Sequence, residues 1–460
     1  MPYKRRGFFQ PVNTSSYYLH AQSSITQVNL GKMLLTTDSH PKANKRALMV
    51  AYHFPPAKGS SGIQRTVSFC KYLREEGWQP LVLSAHPRAY PKTSDDQLAD
   101  ITGDVPICRA FALDTRRHLS LAGRYPRFLA LPDRWVSWWL GAVPTGLAMI
   151  RRYRPHVIWC TYPIATAPLI GLTLQKVTGV PLVCDFRDQM VETDTYPADP
   201  AVRQVYSWIE RHAVHRAARV VLTAPGTVTL YRKRYADLPD NHWVLIENGY
   251  DEEKFAMELK EVPPPGSVAG PLRIVHSGIV YPSERDPTAL FDALAGLKRE
   301  QRLSGADLQI VLRATGADQY HARLIAERKI GDLVRLEPPI AYSEALAEML
   351  RADGLLVLQA ANCNHQIPAK VYEYLRARRP IIALTDPAGD TATVLRNASI
   401  PLIAPLDSVG AIQEALMEFI KRIRAKHPMM PDENAVQAAS RRQRARELAR
   451  LLDKVIGMRY

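Results

Sequence analysis

From Lys45 onward, short apolar runs rich in β-branched residues alternate with stretches whose apolar positions recur at helical spacing. This alternation is typical of a parallel sheet covered by helices on both faces. Residues 65–77 are predicted as a helix that ends at glycine. The runs predicted as strands are 46–54, 80–85, 156–162, 181–186 and 219–224. The pattern therefore predicts an open α/β domain over residues 45–258.

A second series of the same kind follows a proline- and glycine-rich segment. That segment, 259–272, disfavours regular structure and is predicted as a linker. The next predicted strands are 273–278, 308–314, 334–339, 354–360 and 380–384. At 460 residues the chain is too long for one comfortable core. We predict a second doubly wound domain over 273–430 and a ligand cleft between the carboxyl ends of the two sheets.

The two ends of the chain differ from these domains. Residues 1–44 start basic and continue polar, without the apolar segment of a secretory signal. We expect a poorly ordered leader on a cytoplasmic protein. Residues 431–460 carry a predicted amphipathic helix over 434–457. We expect this helix to return to the N-terminal domain.

The chain carries 60 lysines and arginines against 45 aspartates and glutamates, a formal net charge of +15. This balance favours an anionic partner, which is nucleic acid, an anionic membrane surface or a phosphorylated substrate. The sequence has no zinc-finger spacing, RNA-recognition motif or heptad with a basic region, so nucleic acid is not expected. The predicted C-terminal helix has a basic face that is either solvated or in contact with lipid headgroups. That face consists of Arg441, Arg442, Arg444, Arg446 and Arg450.

Five scattered cysteines without a CxxC pair indicate neither a disulfide framework nor a zinc site. No run of about 18 apolar residues is present, so we expect no membrane-spanning helix. We also expect no bound metal and no cofactor.

Two segments of the first domain are candidates for ligand contact. Gly59 and Gly62 lie in a loop between a strand and a helix, where backbone amides and a helix N-terminus suit an anion, although a structural turn explains them as well. Asp185, Arg187 and Asp188 follow a predicted strand directly. At the carboxyl edge of a sheet such a cluster either orients an acceptor hydroxyl or forms ion pairs at the strand end.

The second domain offers cations near predicted helix starts. Arg285 precedes the helix beginning near residue 287, where a cation is repelled by the helix dipole unless it binds a diphosphate. Pro368 is predicted as the first residue of a helix, with Lys370 and Glu373 on one side. Lys370 beside unpaired N–H groups suits a phosphate, and Glu373 suits sugar hydroxyls. The alternative is an ordinary surface ion pair.

Five segments in this order resemble the family 4 retaining glycosyltransferases, which have the two-domain GT-B fold. They are "FPPAKGSSGIQR", "CDFRD", "IENGYDEEKF", "HSGIVYPSERDP" and "IPAKVYEYLRARRPIIAL". The resemblance covers roughly residues 46 to 455. It implies two Rossmann-like domains facing a central cleft, with a nucleotide-diphosphate sugar held mainly by the C-terminal domain.

The resemblance also implies a role for each matching residue. Glu373 would bind the ribose, and Arg285 and Lys370 would hold the diphosphate near Gly59 and Gly62. Asp185 and Asp188 would be the catalytic candidates, on the acceptor side. Three further residues would lie near the transferred sugar or the acceptor: His365, Arg187 and Arg65. Transfer would retain the anomeric configuration without a metal.

Two positions depart from the family pattern. His365 stands where many members carry an acid that contacts the sugar, and no lysine follows Arg285 closely. The sequence predicts a hexosyltransferase of glycan biosynthesis on the inner face of the membrane, with a glycan or lipid-linked acceptor. The alternatives are a GT-B nucleotide-sugar epimerase and a non-catalytic nucleotide-sugar-binding protein.

Overall fold

A computed structural model describes residues 45–58, 61–94, 98, 100–101, 104–192, 196–258, 262–267 and 269–458. The predicted leader, residues 1–44, lies outside this part of the chain, and so does Gly59. No helix in the described ranges combines the length and the apolar character needed to cross a bilayer.

The first sheet has seven parallel strands in the order β3-β2-β1-β4-β5-β6-β7. Every residue of its central strands β4 and β5 is buried, as expected for a parallel sheet covered on both faces. The strands are β1 (Lys45–Val50), β2 (Trp78–Ala85), β3 (Ile107–Ala110), β4 (Val157–Tyr162), β5 (Leu182–Phe186), β6 (Arg219–Leu222) and β7 (Trp243–Leu245). The helices of this part are α1 (Ser61–Tyr72), α2 (Thr115–His118), α3 (Ser137–Tyr153), α4 (Thr166–Thr178), α5 (Pro200–Arg216), α6 (Pro225–Arg234) and α7 (Glu252–Glu258).

The second sheet has six parallel strands in the order β10-β9-β8-β11-β12-β13. They are β8 (Leu272–Ser277), β9 (Leu308–Arg313), β10 (Val334–Glu337), β11 (Gly354–Leu358), β12 (Ile381–Leu384) and β13 (Ile403–Ala404). The helices are α8 (Thr288–Arg299), α9 (Asp318–Glu327), α10 (Tyr342–Arg351), α11 (Lys370–Ala377), α12 (Asp390–Asn397), α13 (Val409–Arg424), α14 (Glu433–Ala438) and α15 (Arg441–Gly457).

This architecture confirms the predicted fold class of two doubly wound α/β domains. In each sheet the strand order reverses beside the first strand in the chain, between β1 and β4 in one and between β8 and β11 in the other. Ligands of open α/β sheets bind at the carboxyl ends of strands next to such a reversal. The loops after β8 and β11 are therefore the segments that the fold places at a binding position.

Several predicted boundaries are wrong. The first strand ends at Val50 rather than residue 54, since the chain leaves the sheet before the Pro55-Pro56 turn. Helix α1 ends at Tyr72, and residues 73–77 form a turn that closes on Gly77. Pro368 is not the first helical residue, because α11 begins two positions later at Lys370.

The predicted C-terminal helix is two helices. Ser440 caps α15 by accepting a hydrogen bond from the Gln443 amide, which ends the continuous helix expected over 434–457. Four apolar residues of α15 lie in the hydrophobic core of the first sheet: Leu448, Leu451, Leu452 and Val455.

The contacts of the basic face of α15 do not support the alternative in which this face binds lipid headgroups. Arg441 donates to the Gly249 carbonyl at 2.9 Å, and Arg444 pairs with Glu247 at 2.5 Å. Arg442 and Arg446 pair with Glu75 and Glu76, which follow α1. Four of the five arginines thus tie α15 to the first domain, which leaves them little freedom to bind headgroups.

Replacing Leu452 by alanine tests the packing of α15. Leu452 is fully buried, so Leu452→Ala should lower the free energy of unfolding by about 2–5 kcal/mol. Urea denaturation followed by tryptophan fluorescence measures this loss. Arg450→Ala, at an exposed position of the same helix, serves as the control with little change. Equal stability of the two variants would contradict the observed packing.

Candidate functional site

A cavity of about 180 Å³ lies at the carboxyl ends of both sheets. Its walls come from the segments after β5, β6 and β7 on one side and from the loops after β8 and β11 on the other. The lining residues are Arg187, Asp188, Thr223, Thr227, Asn248, Arg285, Gln359, Cys363, Gln366, Ile367, Pro368 and Ala369. The cavity occupies the cleft that the fold class predicts.

Arg285 enters the cavity from the loop after β8. One of its guanidinium nitrogens donates to the Ile279 carbonyl at 2.9 Å, and the guanidinium lies over the Tyr281 ring. The nearest carboxylate, Glu284, is 4.0 Å away. Arg285 is thus held in place mainly by neutral groups, and most of its charge stays available to an anion.

Lys370 begins α11 and turns its ammonium group inward. Its Nζ donates to Nε2 of His276 at 3.0 Å, and Nδ1–H of His276 donates to the Leu356 carbonyl at 2.8 Å. Burial, together with the charge of Arg285 and against the opposing effect of Glu373, lowers the pKa of Lys370 to about 7. Burial and the Lys370 charge hold the pKa of His276 well below its usual range, so His276 is a neutral acceptor.

A glycine makes room for this ammonium group. Gly278 has φ of +115°, and a Cβ there would lie 3.0 Å from the Lys370 Nζ. The start of α11 has no side-chain cap, since its N-cap residue is Ala369. Two cations and an uncapped helix start therefore occur together beside the cavity, the combination that binds phosphate groups.

Glu373 lies one turn into the same helix. The Tyr342 hydroxyl donates to one of its carboxylate oxygens at 2.7 Å. The other oxygen has no hydrogen-bond partner among the described residues. The carboxylate is thus oriented from α10 and retains capacity to accept from a diol.

On the opposite wall, Arg187 and Asp188 follow β5. Arg187 donates through Nε to the Tyr162 carbonyl at 2.9 Å, and the Thr223 hydroxyl donates to the Arg187 carbonyl at 2.8 Å. A Cβ at Gly62 would collide with the Arg187 guanidinium, so a larger residue there would displace that side chain. Burial raises the pKa of the Asp188 carboxyl, although Arg187 opposes the shift.

Asp185 and Arg65 form a buried ion pair beneath this wall. Asp185 is fully buried and accepts from two nitrogens of Arg65, at 2.8 and 3.1 Å, and from the Thr161 hydroxyl at 3.1 Å. Arg65 also donates to the carbonyls of Ile246 and Glu247. The Asp185 carboxylate therefore holds α1 and the segment after β7 in place, and it does not line the cavity.

His365 lies where the two domains touch. Its carbonyl accepts from the Thr227 hydroxyl at 2.6 Å, and the Gly226 amide donates to Asp390 at 2.7 Å. Its ring nitrogen Nε2 is buried without a hydrogen-bond partner in the described part of the chain. This ring is a buried polar group beside the loop that lines the cavity.

Of the residues predicted for the site, Arg187, Asp188 and Arg285 line the cavity, while Lys370, Glu373 and His365 belong to or adjoin its α11 wall. Gly62 does not line the cavity but lies against the Arg187 guanidinium. The sequence analysis did not identify His276, Tyr342 or Gln359. Gln359 positions the loop before α11 by donating hydrogen bonds to the carbonyls of Cys363 and Gln366. A polar residue at the end of an apolar strand was the available signal for Gln359 and His276.

Comparison with known proteins bears on this site. Residues 61–249 match the family described as "Glycosyl transferase 4-like domain". The matched range includes the segments after β5, β6 and β7 that form one wall of the cavity. No curated protein shows a significant match to the chain.

Solved structures show that the remainder of the chain completes the same fold. A sucrose-phosphate synthase from Thermosynechococcus elongatus superposes with a TM-score of 0.63 at 14% identity, covering 90% of this chain and 99% of that one. A UDP-N-acetylglucosamine 2-epimerase covers 90% of this chain and 97% of its own, with a TM-score of 0.51 at 12% identity. These superpositions confirm the predicted fold of two Rossmann-like domains, the GT-B arrangement.

Removing Asp185 should destabilise the first domain. Asp185→Ala leaves the buried Arg65 charge unpaired, and we expect a loss of about 3–5 kcal/mol in the free energy of unfolding. Urea denaturation measures it. Glu327→Ala breaks an exposed pair with Arg323 and should cost less than about 1 kcal/mol. A matching small loss in both variants would refute the structural role of Asp185.

Proposed function

We propose that the protein is a retaining glycosyltransferase that moves a hexose from a nucleotide-diphosphate sugar to a glycan or lipid-linked acceptor. The observation that supports this most is that two cations, Arg285 and Lys370, lie close together near the uncapped start of α11. Arg187 and Asp188 lie across the cavity from them. Cations on one wall suit a donor diphosphate. The family match of the other wall supports an acceptor there.

In this proposal Arg285, Lys370 and the N-terminus of α11 stabilise the diphosphate as it leaves. Negative charge grows on the leaving group as the bond to the sugar breaks, so fixed cations stabilise the transition state more than the ground state. His276 acts as a positioning residue, because its neutral imidazole fixes the Lys370 ammonium. Glycosyl transfer without a bound metal ion is part of this proposal.

The remaining residues divide between donor and acceptor. Glu373, oriented by Tyr342, would accept hydrogen bonds from the ribose diol. The unpartnered Nε2 of His365 would face a hydroxyl of the transferred sugar. Asp188, whose pKa is raised by burial, and Arg187 would orient the acceptor, while Asp185 and Arg65 would act only through the positions of their neighbours.

The competing epimerase hypothesis uses the same nucleotide site without an acceptor. We favour transfer because the domain over residues 61–249 is of the glycosyl transferase 4-like type. Release of nucleoside diphosphate that depends on added acceptor supports transfer. Conversion of the free nucleotide sugar to its epimer would overturn it. A cytoplasmic protein located peripherally on the membrane is also part of this proposal.

Variants of the donor site should weaken binding of a nucleoside diphosphate without lowering the melting temperature. Arg285→Ala removes charge-assisted hydrogen bonds, so we expect the dissociation constant to rise about 10- to 100-fold. Glu373→Gln should raise it about tenfold, because it removes the charge that strengthens the ribose contacts. Calorimetric titration measures both, with Arg323→Ala on exposed α9 as a neutral control. Wild-type affinity in both site variants would contradict the assignment of Arg285 and Glu373 to the donor site.

The lowered pKa of Lys370 predicts a pH dependence of the same affinity. The ammonium form dominates below its pKa of about 7, and the neutral form dominates above it. Diphosphate binding requires the ammonium form, so affinity should fall between pH 7 and 9 by up to about tenfold per pH unit. Lys370→Arg stays charged throughout and should flatten the profile. A steep profile in that variant would assign the titration to another group.

A further inference from the structure

Exposed apolar side chains are concentrated in one part of the glycosyl transferase 4-like domain. Of 17 large hydrophobic residues that the described chain exposes, five lie within residues 111–140. Leu121 is 85% exposed, Phe128 69% and Leu140 64%, and the others are Phe111 and Leu119. Single exposed apolar residues are normal, whereas apolar side chains gathered on one surface mark a binding site, and these five lie in one short stretch of the chain.

The same region is strongly basic. Residues 111–156 contain eight arginines and only two aspartates, Asp114 and Asp133. Asp114 is fully buried and lies 3.4 Å from Arg134, and Asp133 accepts from the Thr166 amide at 2.8 Å. Both carboxylates are therefore used inside the domain. The exposed part of this region presents positive charge without compensating negative charge of its own.

Two arginines of the loop carry unpaired charge. Arg116 and Arg124 are exposed, and neither has a carboxylate partner within the described ranges. Arg127 is 61% exposed and pairs with Asp199, and Arg117 donates to the Tyr90 carbonyl. We call residues 116–128 the basic–apolar loop. Its arginines alternate with Leu119, Leu121 and Phe128.

Hydrogen bonds hold the beginning of this loop against the segment that precedes α3. The Thr115 amide donates to the Arg134 carbonyl at 2.8 Å, and the Thr115 hydroxyl donates to the Leu129 carbonyl at 2.5 Å. The Phe111 backbone lies directly against Gly141, where a Cβ would not fit. Helix α3 continues the surface, since Leu140, Pro144 and Ala148 are exposed one turn apart and are followed by exposed Arg151.

We propose that the basic–apolar loop and the outer face of α3 dock the protein onto an anionic lipid bilayer. Leucine and phenylalanine side chains enter the boundary between headgroups and acyl chains, and neighbouring arginines bind anionic headgroups. Nucleic acid fits less well, because Leu119 and Leu121 offer neither hydrogen bonds nor a ring for stacking. This surface replaces the C-terminal helix as the lipid-binding element.

The location of the loop connects it to the cleft. It follows β3, and the carboxyl ends of the parallel strands point to the cavity side of the domain. A bilayer in contact with the loop would lie on that side, where a lipid-linked acceptor could reach Asp188. This inference deepens the proposed peripheral location and rests on it, but the binding itself requires neither donor nor acceptor.

Vesicle sedimentation of the full chain tests the proposal. The protein should bind phosphatidylcholine vesicles that contain about 30 mol% phosphatidylglycerol, which makes their surface anionic. It should bind vesicles of pure phosphatidylcholine far more weakly. The double variant Leu121→Glu with Phe128→Glu should lower binding at least tenfold. Arg116→Ser with Arg124→Ser should lower it about fivefold per arginine removed.

Matched controls carry the same changes elsewhere. Met257→Glu places a carboxylate at another exposed apolar position, and Arg299→Ser with Arg323→Ser removes two exposed arginines from the second domain. Both should bind vesicles as the wild type does. Equal losses in controls and loop variants would overturn the proposal, and so would tighter binding to single-stranded RNA than to the vesicles. Nucleoside-diphosphate affinity measured in the loop variants should stay unchanged, which separates this result from failure of the proposed donor site.

Discussion

The enclosed ammonium group of Lys370 is the constraint on which the site depends. A buried charge is costly unless a partner of opposite charge compensates it. Within the described residues the Lys370 ammonium forms a hydrogen bond only with the neutral ring of His276, and the charge of Glu373 compensates it only in part. The nearby Arg285 guanidinium adds like charge, and α11 adds the positive end of its dipole. The pKa of Lys370 falls accordingly. An anion that enters the cavity would relieve all three unfavourable terms at once.

The first domain builds its wall differently, above a buried ion pair. Arg65 and Asp185 form a buried pair that joins α1, β5 and the chain after β7. Close contact between Gly62 and Arg187 then fixes the neighbouring guanidinium at the cavity. This wall thus presents one cation and one carboxylate, Arg187 and Asp188, and the other wall has two cations, Arg285 and Lys370, close together. Such asymmetry suits a cleft that holds a charged donor on one side and a neutral acceptor on the other.

Sequence reasoning predicted the sheets well because parallel strands buried on both faces are long apolar runs, as in β4 and β11. It missed the short strands β3, β7 and β13, whose apolar runs are too brief to stand out. It located Arg285, Lys370 and Glu373 through their place near helix starts. It could not show that Asp185 forms an ion pair with Arg65, or that four arginines of α15 bind groups of the first domain. Such contacts join positions that are 120 or more residues apart in the chain.

The structure of a complex with a nucleoside diphosphate tests the central claim most directly. We predict that both phosphates lie between the Arg285 guanidinium, the Lys370 ammonium and the first turn of α11, with the ribose within hydrogen-bonding distance of Glu373. A diphosphate bound on the wall formed by Arg187 and Asp188, with Lys370 still in contact only with His276, would contradict the account.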